Sequence, residues 1–124
     1  MPIERLTVER LKRRADFLLV AGSRRKYVTP AFVLQARERD AAPQSAIRIG
    51  FTATKKIGSA VARNRARRRL REAARLLLPQ LGSPGFDYVF IARGGTAERP
   101  WVRLLDDVKS ALIRLAPDGA APQV

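Results

Sequence analysis

Between positions 63 and 75 the chain reads Arg63-Asn64-Arg65-Ala66-Arg67-Arg68-Arg69-Leu70-Arg71-Glu72-Ala73-Ala74-Arg75, seven arginines in thirteen residues. The run is helical in pattern. Ala66, Leu70, Ala73 and Leu77 recur at i, i+4, i+7 and i+11 and form one narrow apolar face. Asn64, Arg68, Arg71 and Arg75 keep the same spacing on the opposite side, and Arg63, Arg65, Arg67 and Arg69 spread over the flanks. Such a helix is built to rest on a protein core and present charge to something outside. Guanidinium offers a planar fork that fits phosphate bidentately and stacks on bases. The partner expected for this helix is a nucleic acid.

Composition agrees. The net charge of +14 on 124 residues repels itself and is normally tolerated when a polyanion neutralises it. An apolar fraction of 46% is too high for a disordered basic tail and suits one domain over residues 1–124. Its core is expected at about 6–115, with a flexible tail at 116–124. No apolar run reaches the roughly 18 residues that would span a bilayer. Met1-Pro2-Ile3-Glu4-Arg5 leads into charged residues and not an apolar segment, so the expected location is cytoplasmic. With no cysteine and no histidine, disulfides, zinc–thiolate sites, Ser-His-Asp catalysis and histidine–metal nuclease sites are excluded. The remaining hydrolytic option is a carboxylate cluster holding magnesium. Most acids here stand beside arginines, and Asp106-Asp107, the paired set, reads as surface charge on a helix. No catalytic residue and no metal ligand is assigned to the chain.

Along the chain, residues 8–21 read as a helix through Leu11, Phe17, Leu18 and Ala21, ended by Gly22-Ser23. Ser23 to Lys26 reads as a basic turn, Tyr27-Val28-Thr29 as a short strand stopped by Pro30, and residues 31–36 as a strand. Residues 37–46 read as a polar loop. From Ile47 to Thr54 the alternation is clear: Ile47, Ile49, Phe51 and Ala53 face one way, Arg48, Gly50, Thr52 and Thr54 the other. Lys55-Lys56-Ile57-Gly58 is a loop, Ser59 an N-cap for the arginine helix, and Pro79 its stop near Leu78. Tyr88 to Ala92 is apolar throughout, as in a central strand. Pro100 opens a last helix whose apolar face is Leu104, Leu105, Val108, Ala111, Leu112 and Leu115. The expected class is α+β, with helices packed on one sheet.

The stretch from Lys55 to Glu72 closely resembles the protein subunit of bacterial ribonuclease P, which carries a Lys-Lys-hydrophobic-Gly turn running into an Arg-Asn-Arg helix with an Arg-Glu end. Leu11-Lys12-Arg13 through Phe17, Phe32-Val33-Leu34, Ile47-Arg48-Ile49-Gly50 and Asp87 to Arg93 fall where the family has similar segments. The resemblance covers about residues 6–115. It implies a four-stranded sheet with three helices in the order α-β-β-β-α-β-α, a ribosomal-protein-like fold with an unusual left-handed βαβ crossover. It implies a function as well: the protein joins a catalytic RNA, and the complex removes the 5′ leader from precursor tRNA.

Carried over by position, the resemblance assigns Lys55, Lys56, Arg63, Asn64, Arg65, Arg67, Arg68, Arg71 and, as a further basic residue of that helix, Arg75 to the catalytic RNA. It assigns Phe17, Val33, Gln35, Arg48, Thr52 and Thr54 to a leader cleft between the N-terminal helix and the polar face of the sheet. Read without it, Asn64 is more simply a polar surface residue, Lys55-Lys56 an exposed loop, Thr52 and Thr54 solvent-facing, and Phe17 divides evenly between core and cleft. Family members often carry aromatics where this chain has Ala21 and Gln35, so charge and hydrogen bonds are expected to hold the leader more than stacking does. Magnesium is expected mainly on the RNA, with none required by the chain itself. Two other readings remain: a general or ribosome-associated RNA-binding protein, and a metal-dependent nuclease, which the scarcity of acids disfavours.

Overall fold

The structure, a computed structural model, describes residues 8–39 and 46–117. Five strands form one mixed sheet: β1 (Val8–Arg10), β2 (Arg25–Val28), β3 (Phe32–Glu38), β4 (Ile47–Ala53) and β5 (Phe86–Ala92), in the spatial order β1-β4-β5-β3-β2. The helices are α1 (Arg14–Gly22), α2 (Ala60–Leu81) and α3 (Trp101–Arg114). Strand β5 is central, parallel to β4 and antiparallel to β3. Helix α2 makes the crossover between the parallel neighbours β4 and β5.

One face of the sheet carries the main core. Phe32, Leu34 and Ala36 of β3, Ile47 and Ile49 of β4, and Phe86, Tyr88, Phe90 and Ala92 of β5 are buried against α2 and α3. Helix α2 reaches that core with Ala66, Leu70, Ala73, Ala74 and Leu78. Leu77, expected on this seat, is half-buried at its margin, because a helix turning 3.6 residues per turn drifts toward Ala74 and Leu78 over four turns. Helix α3 contributes the expected face, with Leu104, Val108, Ala111, Leu112 and Leu115 buried and Leu105 partly so. Among the described residues, the opposite face of the sheet is covered by α1, over a small cluster of Leu11, Val20 and Val89 with Phe17 and Ile91 packed on it.

Several expectations change. The sheet has five strands, not four. Residues 8–10 are a strand and not the start of a helix: they pair in parallel with Ile47–Ile49, a partnership no local pattern reveals. Arg13 remains extended and α1 begins at Arg14. Within α1, Leu18 and Ala21 are exposed, and Val20 is the residue that anchors the helix. The basic turn at Arg25-Lys26 is the first part of β2, paired with Gln35 and Ala36 of β3. Strand β3 extends to Glu38, so the expected loop starts later, and residues 40–45 of that loop lie outside the described residues. So does most of the expected tail, residues 118–124. Pro79 does not stop α2, which runs on to Leu81. Proline removes one donor and crowds the carbonyl one turn back, but so near the end of the helix the ladder still resumes, with Gly82 N–H on the Leu78 carbonyl at 2.8 Å. Pro100 is the residue before α3, and its carbonyl accepts the Leu104 N–H at 2.9 Å.

Candidate nucleic-acid interface

Helix α2 starts where its sequence says it should. Ser59 is extended, and its hydroxyl oxygen accepts the Ala62 N–H at 3.1 Å. Ahead of it, Lys55–Ile57 form a single 3-10 turn with both lysines exposed. Gly58 follows at φ 120°, a left-handed conformation that side chains rarely adopt, and it turns the chain from β4 into the helix. The Arg63 guanidinium donates back to the Gly58 carbonyl and ties the turn to the first helical residues.

The arginines of α2 divide into two groups. Arg65, Arg68, Arg71 and Arg75 are exposed together with Asn64, while Arg63 and Arg67 are half-exposed on the flanks. The Asn64 side-chain oxygen accepts from Arg67, so this asparagine aims a guanidinium. Arg71 lies with its guanidinium carbon 5.5 Å from the centre of the Phe51 ring. Arg75 pairs with Glu72 one turn back. Arg69 belongs to the second group. It is turned inward, donates to the carbonyls of Thr96 and Arg99 (the latter at 2.6 Å), and sits over the Trp101 ring. Burial and the neighbouring Arg65 both push its pKa down. Arg69 therefore staples the loop before α3, and the outward charge comes from the others.

Of the residues expected to line the leader cleft, Val33, Gln35, Arg48 and Thr52 fall into register across the sheet. Cα pairing aligns Val33, Ile91 and Thr52 in one cross-strand row, Gln35, Val89 and Gly50 in the next, and Arg37, Asp87 and Arg48 in a third. Phe17 hangs over this face from α1. A Cβ at Gly50 would stand 2.4 Å from Phe17 Cε1, so the glycine makes room for the ring. Phe17 is half-buried and packs on the small apolar cluster. Val33, Gln35, Thr52 and Thr54 are half-exposed. Thr54 leads directly into Lys55 and Lys56, so the cleft face and the arginine helix are consecutive in the chain.

The third row holds the charge that sequence reasoning missed. The Asp87 side chain is fully buried. Its carboxylate accepts Arg48 Nε at 2.8 Å and Arg48 Nη2 at 2.7 Å, a side-on fork, and Arg39 Nη1 at 2.6 Å; Arg37 Nη1 stands at 3.7 Å. Burial alone would raise the Asp87 pKa, but the hydrogen bonds and charges of Arg48 and Arg39 more than offset it and hold the carboxyl below its usual range. Arg48, expected on the cleft face beside Thr52 and Thr54, is thus anchored at one edge, and the partnership raises its own pKa. Asp107 is likewise not plain surface charge, since Arg99 Nε donates to it at 2.8 Å. Among the described residues, no group of three or more acidic side chains is placed to hold a metal ion, and no helix is long and apolar enough to cross a membrane.

Residues 7–116 match the family model described as Ribonuclease P. The "Ribonuclease P protein component" of Caulobacter vibrioides is 58% identical over 113 residues, covering 91% of this chain and 74% of that protein. That of Ruegeria pomeroyi is 56% identical over 106 residues, covering 85% and 84%. Among solved structures, the RNase P protein from Thermotoga maritima superposes with a TM-score of 0.73 at 26% identity, covering 88% of this chain and 99% of that one.

Proposed function

We propose a function that proceeds from one premise: the chain belongs to the ribonuclease P protein component family. Membership makes it an RNA-binding protein of tRNA processing, the partner of an RNA subunit in an endoribonuclease holoenzyme. Beyond that, α2 seats on the catalytic RNA through Arg63, Asn64, Arg65, Arg67, Arg68, Arg71 and Arg75, with Lys55 and Lys56 extending the contact. The face bearing Phe17, Val33, Gln35, Arg48, Thr52 and Thr54 receives the 5′ leader of precursor tRNA. The chemistry belongs to the RNA, which binds most of the magnesium, and the holoenzyme works in the cytoplasm.

The observation that carries this reading is the division of α2 into an apolar seat and an outward row of guanidiniums whose one acidic neighbour on the helix is Glu72. Phosphodiester hydrolysis needs an activated water and stabilisation of developing charge, usually by metal ions on carboxylates. The chain has no histidine or cysteine, and arginine is no base at neutral pH. Asp87, the fully buried carboxylate, is occupied by arginines. What these residues do is hold RNA: they lessen repulsion between two polyanions and favour a substrate that still carries its leader. The test is affinity for the catalytic RNA by titration. Arg68→Glu is expected to weaken it about tenfold or more while the circular dichroism spectrum is unchanged. Unaltered affinity in a folded Arg68→Glu protein contradicts the assignment.

A further inference from the structure

The side-on fork between Arg48 and Asp87 uses the Nε and Nη2 edge of the guanidinium. The other edge, Nη1 with the second N–H of Nη2, meets only a long ion pair, with Asp16, among the described residues, and the second oxygen of Asp16 stands 3.8 Å from Arg13 Nε. What stands near it is Asp16 of α1, whose Oδ1 is 3.5 Å from Nη2, beyond a good hydrogen bond. This edge opens into a pocket of about 450 Å³ lined by Glu9, Arg10, Lys12, Arg13, Asp16 and Arg48. Four cations and two acids line it. A planar donor edge fixed at its back by a buried carboxylate and fronted by a loosely held acid has the form of an anion site closed by an internal counter-ion.

We propose that this pocket binds one backbone phosphate of the single-stranded leader, and that Asp16 is the displaceable occupant whose place the phosphate takes. The proposal rests on the leader-binding reading given above. Asp87 acts as a positioning residue: by holding the side edge it leaves the end edge aimed outward, and it removes the rotational freedom Arg48 would otherwise lose on binding. Arg10, Lys12 and Arg13, from the β1–α1 junction, supply the surrounding field. Asp16 keeps the site from trapping other anions, since a ligand must offer more than the weak, long contact it replaces. Nothing in the pocket reads a base, so the contact is indifferent to leader sequence.

The experiment uses the reconstituted holoenzyme and precursor tRNAs with a leader of several nucleotides, in which each leader phosphate in turn is replaced by neutral methylphosphonate; leaderless tRNA is the reference. In the wild-type complex, one methylphosphonate position is expected to weaken binding about tenfold. Arg48→Gln should weaken binding of the unmodified precursor by a similar factor and remove the sensitivity at that position. Asp16→Asn, a near-isosteric exchange whose fold is checked by circular dichroism, should tighten precursor binding about two- to fivefold and leave leaderless tRNA unaffected. If the wild type discriminates leader from no leader but Asp16→Asn has no effect and no position is sensitive, this inference fails and leader binding stands. If the wild type shows no leader effect at all, both fail.

Discussion

Asp87 shows how one carboxylate organises a surface. Its side chain is fully buried while Arg37, Arg39 and Arg48 keep 30%, 21% and 21% exposure. Removing one partner of a buried ion pair leaves the others uncompensated. Asp87→Ala is expected to cost about 3 kcal/mol, the lower end for such changes because the arginines still reach water. Chemical denaturation measures this. The pH dependence has a definite sign. The folded-state pKa of Asp87 is depressed, so its contribution is fully present above the unfolded value of about 3.9 and is lost as pH falls through the folded value. Acid titration of stability should therefore show a steeper low-pH limb in the wild type than in Asp87→Asn; parallel limbs would contradict the ion pair. Gly50 is the second residue of consequence. Gly50→Ala must displace the Phe17 ring, which lies 2.4 Å from the new methyl position. A loss of about 1–3 kcal/mol, with weaker precursor binding, is expected.

Among the elements, α2 was the most legible. Its apolar spacing, Ser59 cap and exposed arginines follow from local rules, and the structure has them. Arg68→Glu should leave the melting temperature nearly unchanged, whereas Leu70→Asp places a charge at a fully buried position and should unfold the protein. Equal effects on melting would mean the two faces are misassigned. Gly58→Ala meets no atom within 4 Å, so its cost is that of the left-handed backbone alone, about 1–2 kcal/mol in melting experiments. Strand β4 and the core strand β5 were also legible, from alternation and from a continuous apolar run. What stayed hidden was set by distant pairing. Val8-Glu9-Arg10 has no strand pattern of its own and is a strand because Ile47–Ile49 offers an edge. Arg25 and Lys26 look like a turn until Gln35 and Ala36 pair with them. For the cleft, alternation placed Arg48 and Thr52 on the polar side, but the capture of Arg48 by Asp87 depends on the β4–β5 register, which no single strand encodes. Asp87 itself leads an apolar run and gave only one signal, an acid sharing the parity of Val89 and Ile91.

For the whole molecule, the net charge of +14 is the governing quantity. Each phosphate neutralised on binding releases counterions, so log affinity for RNA should fall steeply and linearly with log salt, by about 0.7–0.9 for each phosphate contacted. Arg68→Glu should lower that slope, and a nearly flat dependence in the wild type would contradict an electrostatic interface. The surfaces proposed for the two tasks are separate: the arginine row of α2 points away from the main core, and the face bearing Val33, Gln35, Arg48 and Thr52 lies on the other side of the sheet, joined to it through Thr54, Lys55 and Lys56. In the proposed function one surface holds the catalytic RNA and the other receives the leader.

Single-turnover cleavage of precursor tRNA at low magnesium tests that division of labour most directly, with protein alone, catalytic RNA alone and the complex compared side by side. The complex is expected to remove the leader under conditions where RNA alone is slow, the Arg68→Glu complex to fall back toward the rate of RNA alone, and nuclease-free protein to cleave nothing at any magnesium concentration. Cleavage by the protein alone, abolished by changing an acidic residue such as Asp87, would contradict the account.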